Sequence, residues 1–294
     1  MKILLTGKTG QIGHELARLL PAMGEVVSFD RAGMDLSDLD QVRATIRAVR
    51  PALIINPAAY TAVDLAEKEV ALAMRINAEA PAIMAEEAAR LGAMLVHYST
   101  DYVFDGNKQG AYVESDEPHP LNVYGRSKLA GEEAIRASGV PHLILRTSWV
   151  YGLHGRNFLL TVRRLAQERE ELRIVADQIG SPTWARTVAE ATANAIGALQ
   201  TSSSEPDLDR WRGQGGLYHL TAQGRTSWCG FAQAIVDRSL ASVKPVVTPI
   251  ATADYPLPAR RPANSVLSSE KFIRMFGSLP AWDEALTSCL TELE

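Results

Sequence analysis

The sequence predicts an α/β fold, a doubly wound parallel sheet followed by a smaller C-terminal α/β lobe. Three observations carry that prediction. Short apolar runs alternate with helical periodicity as far as residue 146, a glycine turn joins the first run to the first helix, and the texture changes after Thr147.

Ile3-Leu4-Leu5 is the first strand, and Gly7, Gly10 and Gly13 follow at once. Ile12, Leu16, Leu19 and Leu20 then recur at helical spacing. A strand-glycine-helix turn presents free backbone N–H groups and the positive helix end to a pyrophosphate, as in Rossmann-type dinucleotide sites. The second strand, Glu25 to Phe29, ends in Asp30, which suits a ribose acceptor or a strand-end turn residue. Arg31 beside it suits a 2′-phosphate, so NADPH or NADH is the expected cofactor. Asp35-Leu36 falls where an adenine edge can be read, or in a plain loop.

Ser37-Asp38-Leu39-Asp40 reads as a capping box opening a helix to about Val49, stopped by Pro51 before the strand Ala52 to Ile55. Asn56-Pro57-Ala58-Ala59-Tyr60 is a small-residue turn. Helical periodicity covers about Leu65 to Leu91 with an interruption near Pro81. The strand Ala93 to Tyr98 ends in Ser99-Thr100-Asp101, at the sheet edge where open α/β folds bind ligands. A polar loop, 101–120, leads to a helix bearing Tyr124 and Lys128, and His142 to Arg146 is the next strand.

The boundaries expected are 1–148 for a dinucleotide-binding domain and 149–294 for a second lobe. In the second part a helix spans about Asn157 to Arg169, a strand lies near Leu172 to Val175, and 177–183 is a loop. Residues 200–215 read as an exposed connection, and Ser227 caps a helix. The Pro-rich stretch 245–262 reads as irregular before two short terminal helices. Gly216 to Leu220 reads as a strand, returning to the first sheet or staying in the second lobe.

The 294 residues are 46% hydrophobic and 22% charged with a net charge of −4, which argues against a disordered chain and against phosphate-backbone binding, hence no nucleic-acid partner. Two cysteines, Cys229 and Cys289, favour a reducing compartment. With no leader-like or membrane-length apolar run, a cytoplasmic protein is expected. His14, His97, His119, His142, His154 and His219 show no ligand spacing, so no metal site is readable.

Tyr124 and Lys128 share one helix face at i, i+4. A cation beside a phenol lowers its proton affinity and makes it a candidate general acid. Chance supplies such a pair in about one sequence in five of this composition, so its meaning rests on its neighbours.

The ordered set of Gly7-Lys8-Thr9-Gly10-Gln11-Ile12-Gly13, Ala58-Ala59-Tyr60-Thr61-Ala62-Val63-Asp64, Tyr98-Ser99-Thr100-Asp101, Tyr124-Gly125 with Lys128, Arg146-Thr147-Ser148-Trp149, Asp177-Gln178-Ile179-Gly180 and Arg261-Pro262-Ala263-Asn264 resembles the extended short-chain dehydrogenase/reductase family along nearly the whole chain. The resemblance is to its reductases of keto-sugar nucleotides. It implies hydride transfer from NADPH or NADH to the C4 ketone of dTDP-4-dehydro-6-deoxy-L-mannose, giving dTDP-L-rhamnose for cell-surface polysaccharide. Tyr124 would protonate the oxygen, Thr100 hold it, and Lys128 bind the nicotinamide ribose. Gly7, Gly10, Gln11, Ile12 and Gly13 would line the pyrophosphate turn. Asp30, Asp35 and Leu36 would face the adenosine; Ala58, Ala59, Tyr60 and Tyr98 would complete the cofactor wall. Asp101 and Trp149 would meet the dTDP-sugar substrate, and Arg261 its diphosphate. The family also implies Mg2+ and a homodimer. Pro57 departs from the family's more usual Ala. A dehydratase is disfavoured because Tyr102 follows Asp101 where that chemistry needs a second carboxylate. An epimerase of the same superfamily and a non-catalytic NADP-binding regulatory subunit are the remaining alternatives.

Overall fold

The computed structural model describes residues 1–200, 207–239 and 244–293. Its first half lays down β1 (Lys2–Leu5), α1 (Gln11–Leu19), β2 (Glu25–Ser28), α2 (Leu39–Val49) and β3 (Leu53–Asn56). A helix then runs from Val70–Met74 through a π-helical turn, Arg75–Glu79, into Ala80–Leu91, and the whole is α3. It leads to β4 (Met94–Thr100), α4 (Val123–Ala137) and β5 (His142–Thr147).

The second half contributes α5 (Phe158–Glu168), β6 (Glu171–Val175), α6 (Ala185–Leu199), α7 (Leu208–Gln214), β7 (Gly216–His219), α8 (Trp228–Asp237), β8 (Val246–Ile250), α9 (Glu270–Phe276) and α10 (Trp282–Thr291).

Six strands form one parallel sheet in the order β7-β5-β4-β3-β1-β2. The chain leaves β1 to one side for β2 and returns to the other side for β3, so the topological switch point lies between β1 and β3, where ligands of open sheets sit. Both faces are covered, which is why these strands read as unbroken apolar runs. Ile3, Leu5, Leu53, Ile55, Met94, Val96, Leu143 and Leu145 pack with Leu16 of α1 and Val188 and Ile196 of α6. Leu4, Ile54, Leu95 and Ile144 face the other way, toward Val42 and Ile46 of α2, Met84 of α3 and Ile135 of α4. Each such side chain contributes about 1.5–3 kcal/mol. A separate core in the second half gathers Leu159, Leu172, Trp184, Phe231 and Leu286.

Four local expectations are corrected. Asp38, not Ser37, caps α2, accepting from the Gln41 N–H at 3.0 Å; Ser37 instead donates to Asp35. α3 is disturbed by the π turn at 75–79 rather than at Pro81, which sits in the first turn of Ala80–Leu91. Pro81 has no N–H for the carbonyl of Asn77, and Gly131 of α4 comes so close to that oxygen that a Cβ there would stand 2.2 Å away. Within 200–215, residues 208–214 form α7, because Trp211 is fully buried against the main core; 201–206 lie outside the described residues. Within 245–262, Val246–Ile250 is β8, paired in parallel with β6, and Pro249 is tolerated because a two-stranded ribbon has only edges. The strand at 216–219 joins the main sheet beside β5. Ser227 caps α8, accepting from the Gly230 N–H.

Candidate active site

At the carboxyl ends of β1, β3 and β4 lies a cavity of about 720 Å³, walled by the glycine turn, Asp30, Asp35 and Leu36 at one end, by Ala58, Ala59 and Tyr60 in the middle, and by Thr100, Asp101, Tyr124, Lys128 and Trp149 at the other. Its shape begins with Gly7, whose φ of 60° favours a residue without Cβ. A Cβ on Gly13 would stand 2.0 Å from the Gly7 carbonyl, so this turn closes only on hydrogen. The first turn of α1 carries no acid, and its backbone N–H groups form an anion-binding end.

Asp30 accepts from the Gly33 N–H at 3.0 Å and lies 3.7 Å from the Lys8 ammonium; chiefly that backbone bond holds its carboxyl below the usual range. Arg31 pairs with Asp35 at 3.6 Å, and Asp35 also accepts from the Ser37 N–H and hydroxyl. The middle wall is fixed from the π turn: Asn77 accepts from the Tyr60 N–H at 2.8 Å, and its amide donates to the Tyr60 carbonyl and to Ser127 of α4. Pro57 is accommodated by a trans peptide, and the Ala58 N–H donates to Thr6 at 3.4 Å. The Tyr60 hydroxyl donates to Glu69 at 2.7 Å; burial, then this carboxylate, pushes the phenol up to about 12.

Thr100 closes β4. Its hydroxyl accepts from the Tyr102 N–H at 3.2 Å and donates to Asp101 at 3.0 Å. Burial pushes the Asp101 carboxyl up to about 7 despite that bond. Tyr124 shares the cavity wall with Thr100 and stands edge-on to Tyr102, ring centres 5.8 Å apart. The phenol is not lowered toward working pH as expected. Burial dominates and pushes Tyr124 up to about 12, with the Asp101 charge adding to the rise. Burial also pushes Lys128 down to about 8, because removing water penalises an ammonium as it does a phenolate.

Tyr98 lines the cavity, but its hydroxyl donates to Thr192 of α6 at 2.8 Å and ties sheet to helix. Trp149 is a packing residue that also faces the cavity. It stacks on Trp228, centres 3.6 Å apart, above Gly180, where a Cβ would stand 2.4 Å from the indole, and it still lines the cavity. Its φ of 47° is a strained setting for a bulky residue. Arg261 is not brought to the cavity wall. It forms a two-pronged pair with Asp64 at 2.6 and 2.7 Å and donates to the Ala259 carbonyl.

Ile76 and Arg156 line the wall without any motif in the sequence, and Ser99 and Thr147, which lie in matched runs, line it without an expected role. Arg156 is exposed beside Gly155, whose φ is 77°. Four buried polar atoms without a partner line this cavity, Gln11 Oε1, Ser99 Oγ, Asp101 Oδ2 and Thr147 Oγ1. Unsatisfied buried oxygens and a turn that excludes side chains fit a polar, extended dinucleotide and its substrate. Among the described residues no group of three His, Cys, Asp or Glu could hold a metal ion, so they offer no ligand set for the Mg2+ implied by resemblance. Among the described residues no helix is long and apolar enough to cross a membrane.

Comparison with known proteins matches residues 1–294 to the family described as the RmlD substrate binding domain. The dTDP-4-dehydrorhamnose reductase of Burkholderia thailandensis is 47% identical, covering 100% of this chain and 99% of its own. That of Escherichia coli K12 is 44% identical, covering 100% and 98%. A crystal structure of the dTDP-4-dehydrorhamnose reductase of Bacillus anthracis in complex with NADP superposes with a TM-score of 0.89 at 37% identity, covering 99% of each chain.

Proposed function

The chain belongs to the RmlD substrate binding domain family, and from that membership and the site's geometry we propose that it reduces the C4 ketone of dTDP-4-dehydro-6-deoxy-L-mannose to dTDP-L-rhamnose with NAD(P)H. It is an oxidoreductase of nucleotide-sugar metabolism serving cell-surface polysaccharide. The observation that carries this reading is the convergence of Thr100, Tyr124 and Lys128 on one wall of the cavity that the glycine turn opens.

The bound dinucleotide would supply the hydride. Gly7 to Gly13 hold its pyrophosphate at the α1 end, Asp30, Asp35 and Leu36 its adenosine, and Ala58, Ala59, Tyr60 and Tyr98 the remaining wall. Arg31 and Lys8 flank Asp30 and favour NADPH over NADH. Thr100 positions the ketone oxygen, and Tyr124 donates its proton there. An alkoxide is a far stronger base than a phenolate, so even a phenol raised by burial gives up its proton as the charge develops. Lys128, four residues along, stabilises the phenolate left behind. Asp101 and Trp149 take the sugar. The diphosphate falls to Arg156 rather than to Arg261, whose guanidinium Asp64 occupies.

The same reading assigns cofactor to 1–148 and substrate mainly to 149–294, a cytoplasmic setting consistent with the free thiols Cys229 and Cys289, and a homodimer to be read by sedimentation. Net oxidation of NADPH by purified protein and the keto-sugar nucleotide tests it; an epimerase would return the hydride and oxidise none.

A further inference from the structure

The sheet face beneath α4 is apolar along most of its length but turns polar toward the carboxyl side: Thr6 after β1, Asn56 ending β3, His97 beside it within β4 and Arg146 on β5, each no more than 1% exposed. Arg146 is accounted for by a two-pronged pair with Glu132 of α4 at 2.8 and 2.6 Å. The other three form a chain. Thr6 Oγ1 donates to Asn56 Oδ1 at 2.6 Å, Asn56 Nδ2 lies 3.1 Å from His97 Nδ1, and His97 Nε2 lies 3.2 Å from Lys128 Nζ. Parallel register sets Asn56 directly beside His97.

We propose that His97 is a positioning residue for Lys128, and that the chain Thr6–Asn56–His97–Lys128 has two self-consistent hydrogen-bond directions, one for each charge state of the amine. A neutral imidazole has one N–H and one lone pair. When Lys128 is an ammonium it only donates, so His97 Nε2 accepts and Nδ1 carries the proton. Asn56 then presents its oxygen to Nδ1 and its amide N–H to Thr6. When Lys128 is a neutral amine, the order reverses: His97 Nε2 donates to the amine, Nδ1 accepts from Asn56, and Thr6 donates to the Asn56 oxygen. The half-turn of the Asn56 amide leaves every contact in place.

The imidazole stays neutral in both directions, since burial and then the Lys128 charge hold it well below its usual range. The other titratable groups around Lys128 are Glu132, paired with Arg146 of β5, Tyr124 on its own helix and Asp101 beyond β4; of these Glu132 supports the ammonium. In the ammonium direction His97 is the buried acceptor for Lys128, and its role in turnover rests on the reading that Lys128 serves Tyr124.

Nitrogen NMR on the full chain labelled with ¹⁵N-histidine reads the His97 tautomer directly, with its signals assigned by their loss in His97→Gln. The expected result is an Nδ1–H tautomer near pH 6 that passes to Nε2–H as pH rises past about 8, and no such change in Lys128→Met. A single tautomer throughout, or the same change in Lys128→Met, overturns the proposal. This measurement needs no substrate, so it fails or succeeds apart from the reductase reading. In turnover, His97→Leu moves the alkaline limb of kcat down by about one pH unit, because the ammonium loses its acceptor, and His97→Gln restores it. An unmoved limb in a folded His97→Leu protein also overturns it.

Discussion

Gly125 of α4 lies against the carbonyl of Tyr102, so closely that a Cβ at Gly125 would stand 2.1 Å from that oxygen. This contact seats the first turn of α4, and with it Tyr124, on the turn that follows Thr100. Gly125→Ala is expected to push the helix away, at a cost of about 1–3 kcal/mol in stability. Because a misplacement of about 1 Å can lower a rate about a hundredfold, kcat should fall far more than cofactor affinity. Thermal melts with steady-state kinetics check this, and unchanged kcat in the variant would refute the seating role.

Tyr124→Phe removes the proton donor and keeps the ring that meets Tyr102 edge-on. Single-turnover hydride transfer should slow about 10²- to 10⁴-fold while substrate affinity is held. A rate equal to that of the parent chain would mean that another group protonates the oxygen.

Asp101 sets a pH dependence of stability. Its carboxyl rises from 3.8 unfolded to about 7 folded, so the folded state holds the proton more tightly. The stabilisation is full below about pH 4 and is lost as pH rises through about 7, with an upper bound of about 4 kcal/mol. Asp101→Asn should therefore melt above the parent chain at pH 8 and close to it at pH 4. Equal melting temperatures at pH 8 would show the carboxylate to be better solvated than its burial implies.

Arg261 and Arg156 should separate stability from binding. Arg261→Met leaves Asp64 unpaired, but Asp64 is 37% exposed and partly screened, so the expected loss is about 1 kcal/mol with little change in Michaelis constants. Arg156→Ala should raise the Michaelis constant for the dTDP-sugar about tenfold and leave the melt unchanged. The reverse pattern would return the diphosphate to Arg261.

The parallel sheet and the order of the candidate site residues were legible because apolar runs, glycine spacing and the Thr100, Tyr124 and Lys128 positions are local signals. The π turn was not. It arises from Pro81 denying a donor to Asn77 and from Gly131 approaching that same carbonyl, a contact between residues 54 positions apart. Trp211 and β8 were hidden for a related reason: polar or Pro-containing surroundings mask an apolar side chain or strand whose partner lies far away in the chain. The Arg261 expectation rested on a matched run of residues, and a run does not reveal that Asp64 takes the guanidinium. His97 and Asn56 did leave a trace, a polar residue on an otherwise apolar period-two face at a strand's carboxyl end.

On the proposed function this site delivers a hydride to a ketone and a proton from Tyr124 to its oxygen. The most direct measurement follows NADPH absorbance while purified protein consumes dTDP-4-dehydro-6-deoxy-L-mannose. The account predicts one NADPH oxidised for each dTDP-L-rhamnose formed. Tight NADPH binding with no oxidation, or sugar isomerisation at constant NADPH, would contradict it.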